Sequence, residues 1–108
     1  MRLAILVALV PAFIGGEIGA ARAADCDTML HLHGYLTVAT AKCGFTEAAN
    51  VIDAASSCRS QAGKAQATKI ATDGIRFAQG EMVAKGGTAS WCGFVKGQYP
   101  SLVSDKAR

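Results

Sequence analysis

The stretch CDTMLHLHGYLTVATAKCGFTEAANVIDAASSC, Cys26 to Cys58, decides the fold and holds three of the chain's four cysteines. At 100° per residue, Met29, Leu32, Tyr35, Leu36, Ala39 and Cys43 fall on one helical face. The spacing predicts a helix from Asp27 to Lys42, capped by Asp25 or Asp27 and ended by Gly44. Gly34, in its middle, is expected to mark a close helix contact. Thr46 is a good N-cap and Glu47 suits a first turn, so a second helix is expected from Thr46 to about Ala62. Its stripe is thin and alanine-rich: Ala48, Val51, Ile52, Ala54, Ala55, Cys58 and Ala62. The link Gly44-Phe45 is short, which predicts an antiparallel hairpin.

Downstream, Gly63 separates off a third helical pattern over 64–85. Ala67, Ile70, Ala71, Gly74, Ile75, Phe77, Ala78 and Met82 form its stripe. Gly74 and Gly80 are expected to bend or split it, and Gly86-Gly87 ends it. A short fourth helix should run from Thr88 to Gln98, with Trp91, Phe94, Val95 and Tyr99 on its apolar side. Tyr99-Pro100 closes it. The expected fold is therefore all-α: a small three- to four-helix domain, a hairpin plus further helices, stapled by two disulfides.

Geometry selects the bridges. A helix rises 1.5 Å per residue, so Cys26 and Cys43 would stand about 25 Å apart at opposite ends of the first helix. Bridged Cα atoms must lie within about 7 Å, which excludes Cys26–Cys43. In an antiparallel hairpin Cys43 sits at the turn and Cys58 near the open end, about 20 Å away. Cys26–Cys58 with Cys43–Cys92 remains. Neither a C-x-x-C nor a zinc spacing is present, so structural bridges are expected rather than redox or metal chemistry.

The first 23 residues read as a cleaved secretory signal peptide. Arg2 supplies the charge, Leu3 to Val10 the apolar run, and Ala21-x-Ala23 the small residues before the cut. Pro11, Gly15, Gly16 and Glu17 interrupt the apolar stretch, so a membrane anchor is not expected. Asp25 before Cys26 argues against lipidation. The expected organisation is a signal over 1–23, one disulfide-stabilised domain over 24–100, and a frayed tail over 101–108. The protein is expected in the periplasm or secreted from a bacterium.

Eleven Lys and Arg face eight Asp and Glu over 108 residues, a formal net charge of +3. Removing Arg2, Arg22 and Glu17 lowers it to +2. No basic run is present, so nucleic acid is a poor partner. A core this small is marginal without staples.

Few residues carry chemistry. His31-Leu32-His33 could bind metal on a strand, but on a helix the two imidazoles point about 160° apart. His31 should face water and His33 should lie at the edge of the apolar stripe. Both are candidate pH sensors, because histidine titrates in the mildly acidic range. No metal or other cofactor is expected. The seven carboxylates after residue 23 show no catalytic spacing, and no enzyme is expected, since no role in an active site is filled. Trp91, Phe94 and Tyr99 are a candidate partner-binding patch, Trp and Tyr being common in interface hot spots.

In size, export signal and helical hairpin the chain resembles the small periplasmic acid-stress chaperones. The resemblance is one of architecture; those proteins carry one disulfide and this chain offers two. It implies acid-triggered exposure of apolar surface. The expected function is a non-catalytic exported protein that acts by contact with another protein, as an envelope-stress, inhibitor or immunity-type factor. The competing expectations are a secreted effector or virulence-related factor acting on a host, and an acid-activated periplasmic chaperone.

Overall fold

The structure is a computed structural model that describes residues 26–105. The segment expected to be a signal peptide, the candidate cap Asp25 and residues 106–108 lie outside the described residues. Four helices stand among those described. Helix α1 covers 26–43, α2 Ala49–Ala62, α3 Lys64–Ala84 and α4 Thr88–Gln98. A two-stranded ribbon, β1 (Phe45–Glu47) and β2 (Val103–Asp105), joins the α1–α2 link to the end of the chain.

Both disulfides have the expected pairing. Cys26–Cys58 brings its Cα atoms to 5.2 Å and Cys43–Cys92 to 5.6 Å. Cys26–Cys58 holds α1 to α2 across the mouth of the hairpin. Cys43–Cys92 ties α4 to the far end of α1. Each contributes roughly 2–4 kcal/mol by restricting the unfolded chain. No described cysteine is free. Such bridges fit a non-reducing compartment.

The ribbon corrects the sequence reading at two places. Phe45, Thr46 and Glu47 were expected as link, cap and first turn of the second helix. They form a strand instead, with Phe45 and Glu47 buried and Thr46 exposed. Their partners are Asp105, Ser104 and Val103, in antiparallel register. Helix α2 therefore begins three residues late, at Ala49, after Ala48 in extended conformation with no side-chain cap. Within the tail expected to fray over 101–108, the same ladder orders Leu102 to Asp105: Val103 is buried, and the Ala48 N–H donates to the Leu102 carbonyl at 2.9 Å. Burying Val103 beside Phe45 rewards the ordering of this segment.

One glycine serves two helices. Gly63, at φ 89°, ends α2 and begins α3. Its N–H donates to Arg59 and its carbonyl accepts from Ala67, at 3.1 and 2.9 Å. The left-handed backbone there favours glycine.

Helix α1 is the central element. Leu30, Tyr35, Leu36, Val38 and Ala39 are all buried, on more than one face. Leu30 packs with Ala55, Cys58 and Ala67 at the mouth of the hairpin. Tyr35, Leu36, Val38 and Ala39 pack with Phe45, Val51, Ala78, Trp91, Val95 and Val103 towards the ribbon. Between these clusters α1 and α3 touch backbone to backbone. A Cβ added at Gly34 would lie 2.0 Å from the Ala71 carbonyl oxygen. One added at Gly74 would lie 2.0 Å from the His31 carbonyl oxygen. Gly34 thus marks the close contact expected of it. Neither Gly74 nor Gly80 splits α3, which runs unbroken from Lys64 to Ala84; the missing side chain of Gly74 is what admits α1.

Candidate functional site: an aromatic groove beside a short fourth helix

Helix α3 has 21 residues and α4 only 11. At 1.5 Å per residue these are about 31 and 16 Å long, so α4 can cover about half of its neighbour. The chain turns back at Tyr99-Pro100 to reach β2. Past the end of α4, an open groove of about 450 Å³ remains. Asp27, Thr28, His31, Leu32 and Tyr35 of α1 form one wall. Ile70 and Phe77 of α3 form the other, and Tyr99 closes the end. Phe77 is 54% exposed, although it shares a stripe with buried Gly74 and Ala78. The groove is mostly apolar, in the size range of ligand sites.

Tyr35 forms the inner corner. Its ring lies 6.0 Å from Phe77, 5.7 Å from Trp91 and 5.7 Å from Tyr99, edge-on to the last two. Such contacts add to the energy of burial. Two of the three polar donors of this cluster converge on Glu81. The Tyr35 hydroxyl donates to Glu81 Oε1, and Trp91 Nε1 donates to the same oxygen at 3.0 Å. Burial pushes the Tyr35 phenol well above its ordinary value of 10.0, and the hydrogen bond to and charge of Glu81 push it further. Glu81 was one of the seven carboxylates counted in the sequence, but it was given no role there. Its available signal was position: a carboxylate one turn beyond Phe77 and Ala78 on an apolar stripe.

The histidines separate as the helical spacing requires, and partly buried His33 agrees with an edge position, whereas His31 departs from its expected place. His31 does not simply face water: it is half-buried in the groove, its ring 5.8 Å from Phe77. His33 points to the other side, where Nδ1 lies 2.8 Å from Glu47 Oε2. The Glu47 side chain is 6% exposed and that of His33 25%. Placing Glu47 on a strand rather than in a helical first turn is what brings it to His33. Nearby, His33, Thr37 and Arg59 line a second cleft of about 250 Å³ against Thr68 and Thr72.

The expected aromatic patch divides. Trp91 is fully buried and is a core residue, unavailable to a partner in the folded chain. Phe94 is half-buried under Lys85, whose Nζ stands 4.0 Å from the ring centroid. Tyr99 alone of the three reaches the groove. Residues 91, 94 and 99 cannot all share a face when 91 and 95 turn inward.

Among the described residues, no group of three or more His, Cys, Asp or Glu is placed to hold a metal ion, and no helix is long and apolar enough to cross a membrane. Every buried side-chain nitrogen and oxygen described has a hydrogen-bond partner. Compared with known proteins, the chain matches no family model, no curated protein and no solved structure.

Proposed function

We propose that this is an exported, non-catalytic bacterial protein that acts by contact with another protein, of the envelope-stress, inhibitor or immunity type. The observation that carries the reading is the groove beside α4. A domain this small exposes an aromatic side chain, Phe77, between two walls held in place by a glycine crossing and two disulfides. Contiguous exposed apolar surface of this kind marks interaction sites. A rigid frame lowers the ordering cost of binding. Export to the periplasm or beyond agrees with the disulfides and with the signal pattern of the first 23 residues.

The test is site-specific photo-crosslinking in cells from Phe77 and Ile70, with exposed Ile52 and Val83 as controls elsewhere on the surface. One reproducible protein product from the two groove positions, absent from the controls, is expected. Equal products from all four positions, or none from the groove, would refute the contact reading.

A second reading, acid-activated chaperoning, is favoured by the His33–Glu47 pair. This side-chain contact fastens the centre of α1 to the strand that closes the ribbon. Release of β1 would uncover Phe45 and Val103. Near- and far-UV circular dichroism from neutral pH to about pH 2, with light scattering of a client protein, tests it. Lost tertiary signal with retained helix and suppressed aggregation is expected. An acid-stable fold inert towards clients would remove this reading.

A further inference from the structure

We propose that the groove is anchored by a cation: it takes a segment of the partner protein that sets a lysine or arginine against Asp27 and lays apolar carbon on Leu32, Ile70 and Phe77. The inference rests on the contact reading above and names the chemistry of the partner.

Three observations carry it. Among the described residues, Asp27 is the one carboxylate lining the groove, and no lysine or arginine lines it. The groove also presents aromatic surface, from the exposed ring of Phe77 and from Tyr99, and aromatic faces attract cations. The fold already makes that contact once, where the Lys85 ammonium sits over Phe94. The third observation is spacing. Asp27, His31 and Tyr35 follow one another every fourth residue along α1, about 12 Å from first to last. The carboxylate stands at one end of the groove and the aromatic corner at the other.

Other occupants fit less well. An anionic segment would meet Asp27 as a like charge. A wholly apolar one would cover part of the carboxylate's surroundings and give nothing in return for the lost hydration. A basic residue with an apolar neighbour satisfies both ends. Asp27 is exposed, so its charge is screened by salt.

The test uses the oxidised protein, labelled with nitrogen-15 and followed by amide shifts. Four probes are titrated: 4-phenylbutylammonium, 4-phenylbutyrate, and the capped dipeptides acetyl-Lys-Phe-amide and acetyl-Glu-Phe-amide. Shifts at Leu32, Ile70, Phe77 and Tyr99 are expected, with each cation bound about tenfold tighter than its anionic counterpart. Asp27→Asn should bring that ratio close to one while the circular dichroism spectrum stays unchanged. Equal binding of cation and anion, or shifts confined to other surfaces, would overturn the proposal. Binding of the free amine without the lysine dipeptide would also overturn it, leaving a small-amine site. If all probes fail while Phe77 still cross-links one protein, the cation anchor falls and the contact reading stands.

Discussion

The two ends of this bundle reach density by opposite means. At the mouth of the hairpin the core consists of Leu30, Ala55, Cys58 and Ala67. Towards the ribbon it contains Tyr35, Phe45, Trp91, Val95 and Val103. Small side chains let helices approach closely, and at Gly34 and Gly74, where this cluster gives way to the next, their backbones touch. Large ones hold helices apart and must fill the gap themselves, with Glu81 taking up the polar atoms they bring in. The first end depends on nothing being added, the second on nothing being removed. Helix α1 passes through both, so its two halves face different penalties from the same kind of substitution.

The largest effect should come from removing volume at the ribbon end. Trp91→Ala deletes a fully buried indole and leaves Glu81 with one donor instead of two. The expected loss is about 4 kcal/mol, within the range for large-to-small aromatic changes. Trp91 is the chain's one tryptophan, so urea unfolding should be followed by far-UV circular dichroism. A loss under about 1 kcal/mol would mean that the ribbon end is loosely packed and the comparison is wrong.

Adding volume at the crossing should come next. Gly74→Ala places a methyl 2.0 Å from the His31 carbonyl oxygen, and backbone atoms cannot swing aside. An expected loss of about 3 kcal/mol follows from overpacking. Reciprocally, Gly34→Ala meets Ala71, and the double variant should cost less than the sum of the two, because one separation of the helices relieves both clashes. Full additivity would show that the two glycines act at separate contacts.

These two regions also differ in how far the sequence discloses them. The mouth of the hairpin is legible because local periodicity and helical rise determine it. Cys26 and Cys43 cannot meet along one helix, and a glycine inside a helix, as at Gly34, suits a close contact. The ribbon end is not legible, because its decisive contacts are long-range. Phe45-Thr46-Glu47 has the chemistry of a helix start, and nothing local discloses that Val103–Asp105 competes for it. Three-residue strands are too short to show an alternating pattern. The one-face periodicity of α1 also hides Leu30 and Val38, because a helix surrounded by others is buried on several sides. For the groove, the individual residues are readable, but the vacancy is not. It arises from the difference in length between α3 and α4, a relation between elements that no single pattern carries.

A smaller effect probes the polar anchor of the ribbon end. The neutral Tyr35 phenol is favoured in the folded chain, so its ionisation is pushed above the ordinary tyrosine value. The sign follows from linkage: below the ordinary value of 10.0 both states hold the proton and the contribution is complete. Above it the unfolded chain releases the proton first, and stability falls as pH rises towards the folded value. Tyr35→Phe should cost about 2 kcal/mol at neutral pH by removing a hydrogen bond to a carboxylate. It should also flatten the alkaline limb of the stability curve. Absorbance titration of the folded protein offers a direct check, since the chain has two tyrosines. Tyr35 should ionise only as the fold is lost, and normal ionisation of both phenols in the folded state would remove the Glu81 anchor from this account.

The smallest effect has the opposite sign and isolates what makes the crossing special. Gly80 lies in the same helix as Gly74, six residues on, but an added Cβ there meets nothing within 4 Å. Glycine in an open helix interior loses more backbone entropy on folding than alanine does. Gly80→Ala should therefore stabilise the protein by about 0.7 kcal/mol. Two identical substitutions in one helix would then move the urea midpoint in opposite directions, one methyl filling open space and the other occupying the place of α1. If Gly80→Ala instead destabilises as Gly74→Ala does, the penalty belongs to α3 itself. The backbone contact with α1 would then no longer explain why this end of the bundle is built from small residues.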